Sequence, residues 1–154
     1  MAEQAEKQNL TIQKIYTKDI SFESPNSPLV FQEEWKPEIN VELNTDGQDL
    51  DEHNVEVILN VTVTAKNNGN NSFLVEVQQA GVFQLTGFDD EARAYVVGSY
   101  CPGTLFPYAR EVISRLVTDG GFPPVLLAPV NFEALYHEQV QKNQAQDGEA
   151  EQTH

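Results

Sequence analysis

The chain has 154 residues, 24 of them acidic and 9 basic, for a formal net charge of -15. That length suits one domain with its own core, and the charge excludes a nucleic-acid binder, whose phosphates would be repelled. Cys101 is the only cysteine, so no internal disulfide can form, and no apolar run approaches the length of a membrane span.

Residues 1–9 are polar, carry Glu3 and Glu6, and are expected to be disordered rather than to form a signal peptide. Asn9-Leu10-Thr11, Asn60-Val61-Thr62 and Asn70-Asn71-Ser72 match the glycosylation sequon. With no secretory signal they read as chance matches. A lone thiol suits a reducing compartment, so the cytoplasm is the expected location.

From Leu10 to Phe22 the sequence alternates as a strand does. Leu10, Ile12, Tyr16, Ile20 and Phe22 share one side, interrupted by Lys14 and Lys18, while Thr11, Ile15, Thr17, Asp19, Ser21 and Glu23 share the other. Inward lysines suggest a sheet edge or a subunit contact. Ser24-Pro25-Asn26-Ser27-Pro28 ends the strand. A second strand is expected from about Trp35 to Leu43, with Trp35, Ile39, Val41 and Leu43 on one face and Glu34, Glu38, Asn40, Glu42 and Asn44 on the other. Residues 46–52 read as an acidic turn. From Asp19 through Glu56 eleven carboxylates face one base, Lys36. A solvated sheet face accounts for such a density.

The longest alternating stretch runs from Val55 to Leu85. Val55, Val57, Leu59, Val61, Val63 and Ala65 fall on one side, and Phe73, Val75, Val77, Phe83 and Leu85 resume that side after an asparagine-rich turn at 66–72. This predicts a long antiparallel hairpin with one buried face. Leu74, Glu76 and Gln78 fall on the opposite face, so one leucine is directed outward. Gly81 suggests a bulge.

Helical spacing begins after Gly87. Asp89-Asp90-Glu91 caps and starts a helix expected to run through about Tyr100, with Pro102-Gly103 ending it. Thr104 is expected to cap a second helix, in which Leu105, Tyr108, Ala109, Val112, Ile113, Leu116 and Val117 form a broad apolar face before Gly120-Gly121. Phe122 to Pro129 is apolar yet holds three prolines, so it is neither helix nor central strand and must lie against a core or a ligand. Asn131 caps a last helix with Phe132, Leu135, Tyr136 and Val140 on one face, and residues 142–154 read as a flexible acidic tail.

Nothing in the sequence assembles a catalytic or metal-binding constellation. His53, His137 and His154 lack ligand spacing, Cys101 has no adjacent base, and no phosphate-binding or nucleotide glycine motif occurs. The paired Asp89 and Asp90 are accounted for by capping. No enzyme activity, cofactor or metal is expected.

Ile15-Tyr16-Thr17-Lys18-Asp19-Ile20-Ser21-Phe22-Glu23, Val75-Glu76-Val77-Gln78-Gln79, Cys101-Pro102 with Leu105-Phe106-Pro107-Tyr108-Ala109-Arg110-Glu111, and Leu127-Ala128-Pro129-Val130-Asn131-Phe132 together resemble SecB, the bacterial protein-export chaperone family. The resemblance covers about residues 10–141 as one domain. It implies an α+β subunit, a four-stranded antiparallel sheet followed by helices packed on one face, assembled as a homotetrameric dimer of dimers. It also implies an ATP-independent holdase that keeps precursor proteins unfolded and delivers them to the SecA motor without inserting into the membrane itself. By the same resemblance, SecA would dock on Asp19, Glu23, Leu74 and Glu76. Clients would lie in a groove lined by Trp35, Ile39, Val41, Leu43, Phe122, Leu126 and Tyr136, the tyrosine standing where the family often carries phenylalanine. Two alternatives stay open at this point: a hot-dog-like thioesterase, in which a long helix follows the first strand, and a purely structural oligomer.

Overall fold

The computed structural model describes residues 6–152. Strands β1 (Asn9–Glu23), β2 (Glu38–Asp49), β3 (Asn54–Asn67) and β4 (Asn70–Thr86) form one antiparallel sheet in the order β1-β4-β3-β2. Helix α1 (Asp90–Tyr95) runs through a π-helical turn (Val96–Tyr100) into α2 (Cys101–Asp119), and α3 (Phe132–Gln152) comes after an apolar loop. The fold is the α+β arrangement expected, strands first and helices on one face.

The central hairpin forms because its alternation gives β3 and β4 a shared apolar face. Val57, Leu59, Val63, Ala65, Phe73, Val75 and Phe83 are fully buried there, against Leu105, Ala109, Ile113 and Val117 of α2. The reversal is tighter than the seven-residue turn expected. Asn68 and Gly69 alone make it, with φ of 52° and 78°, the left-handed pair that matches strand twist in a two-residue hairpin. Gly81 does not mark a bulge in β4. It is a close approach, since a Cβ there would lie 2.8 Å from the Phe83 ring and 3.1 Å from Leu105.

Other expectations are corrected as well. Strand β2 starts at Glu38 rather than Trp35 and runs on through Asp49, because its whole length pairs with β3 in unbroken register. The acidic turn shrinks to 50–53, where Asp51 Oδ1 accepts from the main-chain N–H groups of His53 (2.9 Å) and Asn54 (2.8 Å). Trp35 therefore belongs to the connection before β2.

Strand β1 is not a simple alternation. Register shifts between Ile12 and Lys14 and between Thr17 and Asp19 insert one extra residue each, and every insertion exchanges the two faces of the strand beyond it. Ile15 and Thr17 consequently share the helix-facing side with Leu10, Ile12, Ile20 and Phe22. Lys14 and Tyr16 turn to the open side with Asp19, Ser21 and Glu23. The lysines are not inward charges.

Pro102-Gly103 does not end a helix. The π-helical turn leads straight into the proline, and a wider turn relieves the clash between its ring and the preceding carbonyls. Thr104 is accordingly not a cap, and its hydroxyl donates to the Tyr100 carbonyl at 3.0 Å.

Helix α3 continues past Gln141 to Gln152, with residues 141–149 exposed. The disorder expected over 1–9 falls partly on residues 1–5, outside the described residues. Glu6–Gln8 carry no regular structure, and β1 begins at Asn9.

Candidate functional site

The sheet has one face under the helices and one open face. On the open face, Glu23 stands directly opposite Leu74, Ser21 opposite Glu76, and Asp19 opposite Gln78. Residues paired across antiparallel strands share a face, about 5 Å apart across the pair and roughly 7 Å from the next such rung. The strand order thus collects Asp19, Glu23, Leu74 and Glu76 into one small patch. The sequence alone left the two pairs on unconnected strands. Leu74 is half-buried among exposed carboxylates. No salt bridge among the described residues involves Asp19, Glu23 or Glu76, so their charge is free to attract a basic partner.

Further along the same face the charge is neutralised. Glu56 is buried and accepts from the Tyr16 hydroxyl and from Lys18 Nζ (3.0 and 3.2 Å). These bonds, Tyr16's first and Lys18's next, outweigh burial and hold the Glu56 carboxyl below its ordinary range. Burial and the Glu56 carboxylate push Tyr16 up to about 12. Sequence reading missed this cluster because its three residues meet only once β1 lies beside β4 and β3.

On the helix-facing side, α2 lies across β4 and β3 and leaves the start of β2 uncovered. Ile39 and Val41 are 40% and 41% exposed there. The apolar loop after α2 stands opposite them. Trp35, Pro37, Ile39 and Val41 on one side and Pro123 to Ala128 on the other enclose a groove of about 360 Å³. Leu126 is 86% exposed at the groove mouth. Prolines 123 and 124 keep this segment out of any ladder, and it lies along the groove instead.

Three of the expected groove residues are placed differently. Leu43 is half-buried and packs against the core, not in the groove. Phe122 is buried behind it, its ring 5.4 Å from Trp35, 5.2 Å from Phe31 and 5.1 Å from Phe73. It supports the wall and does not line it. Tyr136 lies elsewhere. Its ring packs 5.5 Å from Tyr95 and so close over Gly98 that a Cβ there would fall 2.5 Å from it. Helical spacing put Tyr136 on an apolar face but could not say against what it packs. Pro37 and Phe31 were missed as neighbours of the site. The apolar run Leu29-Val30-Phe31 after Pro28 was the available signal for the last.

No group of three or more His, Cys, Asp and Glu side chains that could hold a metal occurs among the described residues. Burial pushes the Cys101 thiol up to about 12, so it is no nucleophile. His53 is exposed in a turn, and the His137 ring lies beside Tyr95 and Tyr136.

An apolar groove on one face of a sheet and an unneutralised acidic patch on the other are surfaces suited to binding other proteins. The family model described as preprotein translocase subunit SecB matches residues 3–143. A protein-export protein SecB of a Marinomonas species is 55% identical over 137 residues, 89% of this chain and 86% of its own. Another, from Nitrosococcus oceani, is 54% identical over 155 residues, 99% of this chain and 94% of its own. Among solved structures, a SecB-like chaperone of Mycobacterium tuberculosis, in complex with a peptide from an antitoxin, superposes with a TM-score of 0.65 at 18% identity. That match covers 79% of this chain and 90% of the other, and shows a common fold. The chain belongs to the SecB family and is a chaperone for protein export, not an enzyme.

Proposed function

We propose that this chain is an ATP-independent holdase of the cytoplasm that binds unfolded precursor segments in the groove between Trp35–Val41 and the 123–128 loop and hands them to SecA through the patch of Asp19, Glu23, Leu74 and Glu76. The observation that carries the reading is the separation of the two surfaces. The groove opens on the helix-facing side of one edge strand, and the patch occupies the open face of the other two-strand half of the sheet. A single subunit can therefore hold a client and dock a motor without competition between them. Sequence-tolerant holding calls for many weak apolar contacts rather than exact pairs, and the groove's prolines, valines and leucines offer those.

A homotetrameric dimer of dimers is the assembly we infer. Ile12 (41% exposed) and Ile20 (44%) on the helix-facing side of edge strand β1, with Tyr100 (54%) and Tyr108 (50%) on the neighbouring helix, leave apolar surface for a second copy to cover.

The double change Asp19→Ala with Glu76→Ala tests the separation. SecA binding is expected to fall while suppression of client aggregation stays close to normal. Loss of both together would mean that the patch is structural or overlaps the groove.

A further inference from the structure

We propose that Gln79 is a positioning residue for the docking patch, its buried amide holding the bulge that decides which face of the sheet Asp19 and Glu23 take. The proposal rests on the patch as the docking surface.

Gln79 lies on the helix-facing side of β4 and is 2% exposed. A buried primary amide is costly unless partnered, and both of its partners lie at one irregularity of β1. Its Nε2 donates to the Tyr16 carbonyl at 3.1 Å, and its Oε1 accepts from the Thr17 hydroxyl at 3.1 Å. Those two residues immediately precede Lys18, the extra residue between the rungs Thr17–Gln79 and Asp19–Gln78. A bulge interrupts the ladder and leaves main-chain groups to be satisfied otherwise. The Gln79 amide supplies a donor there. From the open face Glu56 holds the same segment, through Lys18 Nζ and the Tyr16 hydroxyl. The bulge is thus gripped from both sides of the sheet.

The period of two sets what the bulge does. With the first half of β1 in place and Lys18 drawn into the ladder, Lys18 would stand opposite Gln78, Asp19 opposite Val77, and Glu23 opposite Phe73. Both carboxylates would then turn to the helix-facing side, away from Leu74 and Glu76. A leucine at position 79 would be of similar length but would leave the Tyr16 carbonyl without this donor.

The test compares the unchanged protein with its Gln79→Leu and Thr17→Val variants. Nuclear magnetic resonance would track the cross-strand contacts Asp19–Gln78 and Ser21–Glu76 and amide exchange along β1 and the central hairpin, beside SecA binding and aggregation suppression. In Gln79→Leu, exchange over residues 17–21 should rise roughly tenfold while β3 stays protected, the Asp19–Gln78 contact should weaken, and SecA affinity should drop about tenfold with aggregation suppression retained. Thr17→Val removes one of the two bonds at an exposed residue, and should show the same local loosening to a smaller degree, about threefold, should Gln79→Leu fold poorly. Wild-type contacts and exchange in both variants, or loosening spread evenly over the sheet, would overturn the assignment and make Gln79 an ordinary satisfied core amide. Local loosening with unchanged SecA affinity would overturn its link to docking, and would place the failure in the patch rather than in the bulge.

Discussion

Trp35→Ala should impair both folding and client holding, and the structure gives each loss a size. Truncating a fully buried aromatic costs about 3–5 kcal/mol. Trp35 is half-buried, packed on Phe122 at 5.4 Å and Phe73 at 6.5 Å with its outer surface toward the groove. About 2–3 kcal/mol is therefore expected, a fall in Tm of roughly 4–12 °C for a chain of this length. A client lying on the outer half of the indole would cover up to roughly 100 Å², worth about 1–2.5 kcal/mol, so dissociation should quicken about 5- to 60-fold. Phe122→Ala is the control. That ring is buried behind the wall, so it should cost the full 3–5 kcal/mol of stability, in order of magnitude, with a smaller effect on dissociation among molecules still folded. Thermal unfolding and the off-rate of a labelled unfolded precursor, measured on both variants, separate the two roles. A Trp35→Ala protein that melts lower yet releases client within twofold of the wild-type rate would refute the reasoning and assign Trp35 to the aromatic cluster alone.

Leu74→Ala should change neither the association rate nor its salt dependence but speed SecA dissociation several-fold, because the apolar centre governs residence while the carboxylates govern steering; surface plasmon resonance at two ionic strengths reads both. Tyr16 titrates near 10 when unfolded and is pushed up to about 12 in the fold by burial and Glu56. Its stabilising effect is complete below about pH 10 and disappears as pH rises to about 12, since the unfolded chain loses the proton first. Denaturant melts of Tyr16→Phe across that window should show a shallower alkaline decline than wild type, and an identical slope would contradict the Tyr16–Glu56 bond. Cys101, buried and pushed up to about 12, should react with an alkylating agent only as fast as the protein opens; rapid labelling of the native state at neutral pH would contradict its burial.

The sequence shows the central hairpin plainly because its alternation is long and its turn residues are specific. Asp19 and Glu23 could be placed on one face of a strand, and Leu74 and Glu76 on one face of another, since each pair lies within a regular stretch. That the two pairs adjoin could not be read, because β1 reaches β4 only through the strand order β1-β4-β3-β2. The bulges at Gln13 and Lys18 leave no compositional mark, and they cancel in parity. The ends of β1 therefore read correctly while Ile15 and Tyr16 read on the wrong sides. Pro102 looked like a helix stop because proline excludes an ordinary turn, and a π-helical turn is not anticipated from residue types. The apolar loop at 122–129 was recognised by composition. Which of its side chains face the groove, and that Tyr136 packs on Gly98 instead, depends on tertiary packing.

Light scattering of a refolding precursor, in the presence and absence of this protein, tests most directly whether it holds unfolded chains without ATP. With no nucleotide added, scattering should fall in proportion to the protein supplied, and Ile39→Asn with Val41→Asn on the strand side of the groove should weaken that suppression. Unchanged aggregation at any ratio of protein to precursor would contradict the claim and leave a purely structural assembly.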